Sequence, residues 1–474
     1  MRPDLGAVFI AAALALVFLA SQQPGWSSAA PDPIDNQLTR QLRELGFTGR
    51  IESTLAARLG RHVDPPLADI GRLLWFDTVI GLKGDNTCAG CHSPTNGFGD
   101  SQPIAVGIDN NGIVGPDRAG PRNMRRAPMV LNTAFFPSLM WNSRFSSRSG
   151  DPFDNHAGFE FPLPEGMTLS AESHLLIAQA FIPPTERTEA AGFDFPGDNN
   201  AMRAEVVRRV DRVTDYRRLF AERFPSVRAG APIDYDMFAR AIAEFEFSLT
   251  FANAPIDRYA RGDIAALDDT EKGGAILFFG KTRCVECHSV SGAANEMFTD
   301  FGQHAIGVPQ LVPRNTNNQF DGLGGNEDFG REDFTGNPVD RYKFRTPSLR
   351  NVAVQAAFMH DGAFTTLAAA IRHHLNPSTS LLKYSPAREG LPIDLSGPVG
   401  PTASLLAAVD HRLSTPVVLT DREFDDLLAF VRDSLLDPRA RPENLRKLVP
   451  REVPSNAASL IFQFGPQSPP SPRR

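Results

Sequence analysis

The chain has 474 residues, of which 42% are hydrophobic, 22% charged and 9% aromatic. This composition is typical of a globular protein and excludes a disordered chain, a fibrous repeat and a polytopic membrane protein. With 48 basic and 55 acidic residues, the net charge of -7 argues against nucleic-acid binding through backbone phosphates.

Residues 1–30 have the pattern of a secretory signal peptide. Arg2 supplies a short basic region, an apolar run covers residues 8–20, and Ser28, Ala29 and Ala30 offer small residues for cleavage. This run is too short to span a bilayer comfortably, although an uncleaved N-terminal anchor is the alternative interpretation. We therefore expect an exported, periplasmic protein with no membrane span after signal cleavage.

All four cysteines belong to two pentapeptides of the same form, Cys-x-x-Cys-His. Their defining residues are Cys88, Cys91, His92, Cys284, Cys287 and His288. This pattern is the attachment signature of c-type haem, in which two thiols form thioethers with the porphyrin and the histidine ligates the iron. We therefore expect two covalently bound haem c groups.

Three other interpretations of these motifs are less suitable. A zinc ribbon needs its two cysteine pairs much closer together than they are in this chain. A thioredoxin-like redox pair needs no histidine directly after it and would not occur twice. Disulfides in exported proteins usually close longer loops.

Five segments have the apolar periodicity or the boundary residues of helices. In chain order they are residues 67–75 before the first motif, 201–224, 234–251, 270–279 before the second motif, and 420–435, which opens on a capping box. No stretch alternates over a long distance with a period of two. We therefore expect an all-α fold with long loops packed around two haems.

Several longer segments resemble the bacterial di-haem cytochrome c peroxidase and MauG family. The similarity runs from about residue 65 to residue 437, and the segments that carry it are 70–77, 126–132, 141–144, 345–351 and 358–362. The resemblance implies two c-type cytochrome domains, one peroxidatic and one for electron transfer. We expect a peroxidatic domain at 31–254, an electron-transfer domain at 255–437 and a linker at 253–262. A Pro-rich arm at 438–474 is expected to end in a mobile segment.

The resemblance also implies catalytic residues near the first haem. Trp141 matches the tryptophan that relays electrons between the haems, and Glu189 matches the acid–base glutamate, with Gln179 at the family spacing before it. A carboxylate there can take a proton from peroxide and return it to the leaving oxygen. Glu186 is a nearby alternative.

Three departures from the family pattern change what we expect. No histidine lies between His92 and His156, which itself falls in an insertion at about 146–169 without a family counterpart. The histidine that blocks the peroxidatic iron in some members is therefore missing, and we expect an open first haem as in MauG.

The second departure concerns calcium. The family uses an Asn side chain where this chain has Arg126, together with backbone carbonyls that correspond to Gln355 and Ala357. A guanidinium cannot ligate calcium and repels it, so we do not expect calcium here. The positive charge of Arg126 would substitute for the cation.

The third departure concerns the sixth ligand of the second haem. In the family this ligand is Met or Tyr, fourteen residues after the position of His360, and here that residue is His374. Residues 366–375 have the pattern of a helix that places His374 on its buried stripe and directs His373 away from it. We expect ligation by His288 and His374, with Met359 as the alternative.

The sequence thus predicts an exported di-haem oxidoreductase that reacts with hydrogen peroxide at the first haem. The electron donor would be a small redox protein, either a c-type cytochrome or a cupredoxin. The alternatives are MauG-like oxidation of a residue on a partner protein, and an electron-transfer cytochrome without catalysis. Family members are often dimers, so a homodimer is compatible with this interpretation.

Overall fold

The computed structural model describes residues 32–161, 172–397 and 399–465, so the predicted signal peptide lies outside the described residues. Its regular structure is mostly helical, with long loops and few strands. Among the described residues, no helix combines the length and the apolar composition needed to cross a membrane. The expectation of a mainly helical, loop-rich fold is confirmed at this level.

The described ranges contain seventeen α-helices, most of them short. In chain order they are α1 (Pro33–Glu44), α2 (Leu55–Leu59), α3 (Pro65–Phe76), α4 (Cys88–Cys91), α5 (Leu175–Gln179), α6 (Asn199–Asp211), α7 (Thr214–Arg223), α8 (Pro225–Arg228), α9 (Tyr235–Ser248), α10 (Pro255–Ala260), α11 (Asp269–Phe279), α12 (Glu332–Thr335), α13 (Leu367–Leu375), α14 (Pro377–Lys383), α15 (Thr402–Ala408), α16 (Asp421–Ala429) and α17 (Pro442–Leu445).

Short strands form three small sheets within the same ranges. They are β1 (Ile113–Val114), β2 (Ser138–Leu139), β3 (Phe145–Ser147), β4 (Phe159–Glu160), β5 (Gln303–His304), β6 (Phe344–Arg345) and β7 (Ile461–Phe462). β1 pairs with β7 in parallel, whereas β2–β3–β4 and β5–β6 are antiparallel. The β3–β4 pair lies in the insertion, of which residues 162–169 are outside the described ranges.

The first hydrophobic core is built around the contact between α3 and α9. At Gly71 a Cβ atom would lie 1.8 Å from the backbone oxygen of Ala241, so only glycine allows the two helices to approach this closely. Trp75 of α3 packs edge-on against Phe245 of α9, with ring centroids 5.5 Å apart. This pair of helices forms the wall on which the first motif rests.

A second core lies around α11 and α16 and includes Phe278 and Phe430. The two cores exchange segments from the ends of the chain. Leu38 of α1 packs in the second core, although α1 comes first in the sequence. Leu445 and Val453 of the Pro-rich arm pack in the first core. Residues 438–465 of the arm thus contribute to the first core and to the β1–β7 pair, and its last residues, 466–474, lie outside the described ranges.

Two predicted elements differ from the structure. The helix expected over 201–224 is two helices, because Val213 adopts an extended conformation between α6 and α7. The apolar periodicity continues across this break, so periodicity alone could not reveal it. The expected linker contains α10, whose Asp257 is fully buried and accepts two hydrogen bonds from Arg350, at 2.7 and 2.8 Å.

Candidate functional site

The first motif forms a single helical turn that fixes its histidine. The backbone N–H of His92 donates to the backbone oxygen of Cys88 at 2.8 Å. The Nδ1 atom of His92 lies 2.9 Å from the backbone oxygen of Pro128, so Nδ1 donates and Nε2 is left for a ligand. Burial lowers the pKa of His92 to about 4, which keeps the imidazole neutral, the form that ligates a metal ion.

Residues on both sides hold this motif in place. Thr87 donates its hydroxyl to the backbone oxygen of Trp75 at 2.8 Å, which joins the motif to α3. At Gly90 a Cβ atom would lie 1.9 Å from the side-chain oxygen of Asn86, so the motif needs a small residue there. Asn86 in turn donates to the backbone oxygen of Glu189 at 2.8 Å.

A cavity of about 310 Å³ opens beside the first motif. This volume lies within the range of roughly 300–1,000 Å³ that is usual for cofactor sites. Most of its walls are apolar. Six of the residues singled out from the sequence line it together: Cys88, Cys91, His92, Trp141, Gln179 and Glu189.

Glu189 lies in a π-helical turn formed by Arg187–Ala191. At Gly107 a Cβ atom would lie 2.0 Å from the backbone oxygen of Thr188, so this turn packs directly on a glycine. Burial, followed by repulsion from Glu186, raises the pKa of Glu189 to about 7. A carboxyl group with that pKa can both give and accept a proton near neutral pH.

Glu186, the alternative acid–base residue, also lines the cavity but is paired. Arg144 donates to its Oε1 atom at 3.0 Å. The carboxylate of Glu189 has no such hydrogen bond to any described residue. The geometry therefore favours Glu189 over Glu186 as the group that can exchange a proton.

Trp141 lies between two cavities. Its side chain is only 9% exposed and donates from Nε1 to the backbone oxygen of Arg126 at 2.9 Å. It lines the first cavity and also a smaller one of about 70 Å³, which Met359 lines as well. Gln179, at the end of α5, lines the first cavity only.

The described lining of the first cavity contains His92 but no second histidine and no tyrosine. The side chain of His156 is 78% exposed and is bonded to Asp154, so it lies away from the cavity. His174 is buried, but both of its ring nitrogens are engaged by backbone atoms, at 3.0 Å each. Three methionines, Met124, Met129 and Met140, do line the cavity.

The second motif repeats the local geometry of the first. The backbone N–H of His288 donates to the backbone oxygen of Cys284 at 2.8 Å. Its Nδ1 atom lies 3.0 Å from the backbone oxygen of Phe298, which again leaves Nε2 for a ligand. Burial lowers the pKa of His288 to about 4. None of the four cysteines of the chain, all of which are described, forms a disulfide.

His374 lies opposite His288, with ring centroids 6.2 Å apart. Two imidazoles bonded to one metal ion at about 2.0 Å place their centroids roughly 6 Å apart, so the spacing fits a shared iron. The Nδ1 atom of His374 lies 2.8 Å from the backbone oxygen of Ala370, which leaves Nε2 available.

The sequence argument about α13 needs one correction. His373, which we expected to point away from the buried stripe, is 0% exposed. Its Nε2 atom lies 2.8 Å from the backbone oxygen of Ile306, so it is held by the fold and is not directed at His288. The buried residues of α13 are Ala370 and His373, whereas His374 and the rest of the predicted stripe are only partly buried, because the segment of Ile306 packs on the other face of the helix.

Arg126 is buried at the position where the family has a calcium-ligating Asn. Its Nη2 atom donates to the backbone oxygen of Asp100 at 3.1 Å and to the side-chain oxygen of Gln355 at 3.3 Å. The guanidinium thus occupies the region where we expected it to replace a cation, next to Gln355.

Two residues of the first cavity were missed from the sequence, Glu246 and Arg345. Glu246 is buried, its Oε2 atom has no hydrogen-bond partner, and burial raises its pKa to about 8. A signal for it existed, because Glu246 lies four residues after Ile242 on the apolar stripe of α9. Arg345 opens the 345–351 segment that carries the family resemblance, but that segment did not predict its burial, which depends on distant residues such as Met140.

Comparison with known proteins finds similarity to one family. The profile described as "Di-haem cytochrome c peroxidase" matches residues 65–265. The methylamine utilization protein MauG of Methylorubrum extorquens is 29% identical over 378 residues, which are 79% of this chain and 80% of that protein. The cytochrome-c peroxidase IdrP1 of Pseudomonas sp. (strain SCT) is 26% identical over 380 residues, 76% of this chain and 79% of that protein.

The fold agrees with this assignment. The crystal structure of a MauG-like protein associated with microbial copper homeostasis aligns with a TM-score of 0.56 and 25% identity, over 80% of this chain and 92% of that one. Over most of its length the chain is similar to proteins of the di-haem cytochrome c peroxidase and MauG family. It is accordingly a di-haem peroxidase by class, and haem is the cofactor that its family implies.

The residues of this chain fit haem at both motifs. Each motif offers two thiols one turn apart and a neutral imidazole with a free Nε2 atom, the donor set that c-type haem requires. The first motif in addition faces a largely apolar cavity of suitable size.

Proposed function

We propose that the protein is an exported di-haem c-type oxidoreductase that acts on hydrogen peroxide. Cys88 and Cys91 would attach the first haem, with His92 as its proximal ligand. Cys284 and Cys287 would attach the second. When bound, the haems would supply the redox chemistry, and the protein would supply ligands, access and coupling.

The single observation that carries this proposal is the lining of the first cavity. A neutral His92 and the unpaired carboxylate of Glu189 border the same space, and no second imidazole competes for it among the described lining residues. Glu189 would take a proton from hydrogen peroxide and deliver it to the leaving oxygen atom. Gln179, on the wall of the same cavity, would orient the substrate by hydrogen bonding.

His288 and His374 would hold the second haem from both sides. This haem would transfer or store oxidising equivalents rather than bind peroxide, because both of its axial positions would be filled. Trp141, on the walls of both cavities, would provide the path between the two sites. Calcium has no part in this proposal, since Arg126 brings a positive charge to the position of a family ligand.

The cellular setting follows from the sequence and the cofactor. The signal peptide at 1–30 would direct the protein to the periplasm, which suits covalent haem attachment. Residues 31–254 and 255–437 would form the two haem domains. The two cores with exchanged terminal segments support this division. A c-type cytochrome or a cupredoxin would donate electrons.

Three measurements on the purified protein test the proposal. A pyridine haemochrome assay should count two haems per chain. Low-temperature EPR of the oxidised protein should give one high-spin and one low-spin ferric signal without prior reduction. Steady-state assays should show peroxide-dependent oxidation of a reduced cytochrome or cupredoxin. Two low-spin haems that react with peroxide only after one-electron reduction would contradict the open first site.

One observation favours a second candidate function, MauG-like oxidation of a residue on a partner protein. The spacing of His288 and His374 fits bis-imidazole ligation, which lowers the reduction potential relative to His/Met ligation. A lower potential would help the second site to hold oxidising equivalents. This second function would be favoured if the protein reacted rapidly with peroxide but showed negligible steady-state turnover with small redox proteins. No reaction with peroxide at all would leave an electron-transfer cytochrome.

A further inference from the structure

Two buried arginines lie where the cavities meet. Arg126 and Arg345 are each 4% exposed, and both line the first and the second cavity. They are also bonded to opposite ends of Trp141. The indole Nε1 of Trp141 donates to the backbone oxygen of Arg126 at 2.9 Å, and the backbone N–H of Arg345 donates to the backbone oxygen of Trp141 at 2.6 Å.

The hydrogen bonds of these guanidinium groups involve only neutral acceptors. Arg345 donates to the backbone oxygens of Met140 at 3.0 Å and Thr346 at 3.4 Å. Arg126 donates to the backbone oxygen of Asp100 and to the side chain of Gln355, and its Nε atom has no acceptor. Neither arginine forms an ion pair with a carboxylate of the described residues.

Several other buried or half-buried arginines of the same region have a carboxylate partner, whereas Arg118 has none and donates instead to the oxygens of Asn86, Val106 and Ile113. Arg125 is bonded to Asp328 at 2.6 and 2.7 Å, and Arg350 is bonded to Asp257. Arg144, in the first cavity, pairs with Glu186. Burying a guanidinium that has few hydrogen bonds and no anion is costly, so two such groups at neighbouring positions on the cavity wall call for an anion from elsewhere.

The nearby carboxylates of the protein do not meet this need. Asp100 is close enough to Arg126 to influence it, but its own oxygens accept from the N–H groups of Ala127 and Gln102. Asp361 influences Arg126 electrostatically but forms no hydrogen bond or ion pair with it. Glu189 and Glu246 line the first cavity without bonding to either arginine.

Both groups stay charged at neutral pH. Burial lowers the pKa of Arg126 and of Arg345 to about 10, which is still well above physiological pH. The two side chains therefore place two positive charges at the junction of the cavities, with donors facing a space that Cys88 and Cys91 also border.

We propose that Arg126 and Arg345 bind the propionate carboxylates of the haem attached at Cys88 and Cys91. A guanidinium presents N–H donors in a planar fork that matches a carboxylate, and such charge-assisted bonds are strong in a water-poor site. The inference rests on the proposed haem attachment. It adds that the same two arginines bind the haem through their guanidinium groups and Trp141 through their backbone atoms, so that they position the haem and the indole together.

The test uses the haem-loaded protein with the propionate carboxyl carbons labelled with 13C. Redox-difference infrared spectra identify the propionate bands by their isotope shift, and spectroelectrochemistry gives the reduction potential of each haem. In Arg345→Gln and in Arg126→Gln we expect a change in the frequency of the labelled carboxylate bands. We also expect a lower potential of the first haem, because a removed positive charge no longer favours the added electron.

Two matched variants separate charge from structure. Arg345→Lys keeps the charge and should retain most of the wild-type potential. Arg331→Gln removes an arginine that bonds the backbone oxygens of Asn142 and Ser143 beside Trp141 but lines neither cavity, and it should leave both measurements unchanged.

The proposal would be overturned if neither Arg345→Gln nor Arg126→Gln changed the labelled carboxylate bands or the reduction potential of the first haem. So would a shift of the second haem's potential alone. If Arg345→Gln does not retain haem, Arg126→Gln and Arg345→Lys carry the same test. A haem count of zero in the wild type would instead contradict the proposed function, which keeps the two failures distinct.

Discussion

The two Cys-x-x-Cys-His motifs have nearly the same local structure but face different side chains. In both, the histidine N–H bonds back to the first cysteine at 2.8 Å and Nδ1 is bonded to a backbone oxygen. His92 shares its cavity with the carboxylate of Glu189, whereas His288 has the imidazole of His374 opposite it. Motifs of the same form thus offer the same ligands, and in the proposed function the residue facing each histidine would decide whether the site is open or closed.

This contrast leads to a first prediction with an all-or-none outcome. His374→Ala should convert the low-spin EPR signal of the second haem to high-spin, because the sixth ligand is lost, while the signal of the first haem stays unchanged. His373→Ala and Met359→Ala are the controls and should keep the low-spin signal. Survival of that signal in His374→Ala, with loss in either control, would assign the ligand to the other residue.

Removing the acid–base group should affect the first site alone. Glu189→Gln should slow the reaction with hydrogen peroxide by about 10²-fold or more, since the amide keeps the shape but cannot exchange the proton. Stopped-flow kinetics measures the rate, and absorption spectra should show unchanged haem content. Glu186→Gln should have a much smaller effect. If Glu189→Gln reacts at the wild-type rate, the proton is handled elsewhere.

The position of the Glu189 turn can be changed without touching its carboxylate. In Gly107→Ala the added methyl group would collide with the backbone oxygen of Thr188, so the turn must move away from the first motif. We expect a peroxide rate that is roughly 10-fold lower, in line with the cost of small displacements in active sites. Gly397→Ala, where the nearest atom is 3.8 Å away, is the control and should react normally.

The smallest expected effect concerns pH. Because the ionised carboxylate accepts the proton and the pKa of Glu189 is about 7, the peroxide rate should fall as the pH is lowered through about 7. Glu186→Gln removes the repulsion that helps to raise this pKa, so the midpoint should move to lower pH. A midpoint that stays in place or rises in this variant would show that another group controls the profile. Spectra of the second haem should be insensitive to the change.

Much of the helical framework was accessible from the sequence. The helices before each motif, the capping box at Thr420 and the helix that carries His374 were predicted close to their observed bounds. These elements are determined by local spacing of apolar residues and by side chains that cap their own helix ends. The break at Val213 and the helix inside the expected linker were not predicted, because contacts with distant residues impose them.

The pairing of side chains was the part that only the tertiary structure could decide. Arg144 forms an ion pair with Glu186 and not with Glu189. No local sequence pattern could predict this pair, because the two residues are far apart in the chain. The burial of His373 likewise arises from Ile306, which belongs to another segment. Arg345 is buried by the pairing of β5 with β6 and by the segment around Trp141.

The sequence by itself determined the two attachment motifs, the family resemblance and the positions of the main helices. Covalent haem attachment depends on residues within five consecutive positions, so a short pattern contains all the information it needs. The tertiary structure alone decided which side chain faces each motif, which carboxylate is free and which arginines lack an anion. Those properties depend on burial and on contacts between remote segments, because the energy of a charge or a hydrogen bond is set by its surroundings and not by its neighbours in the chain.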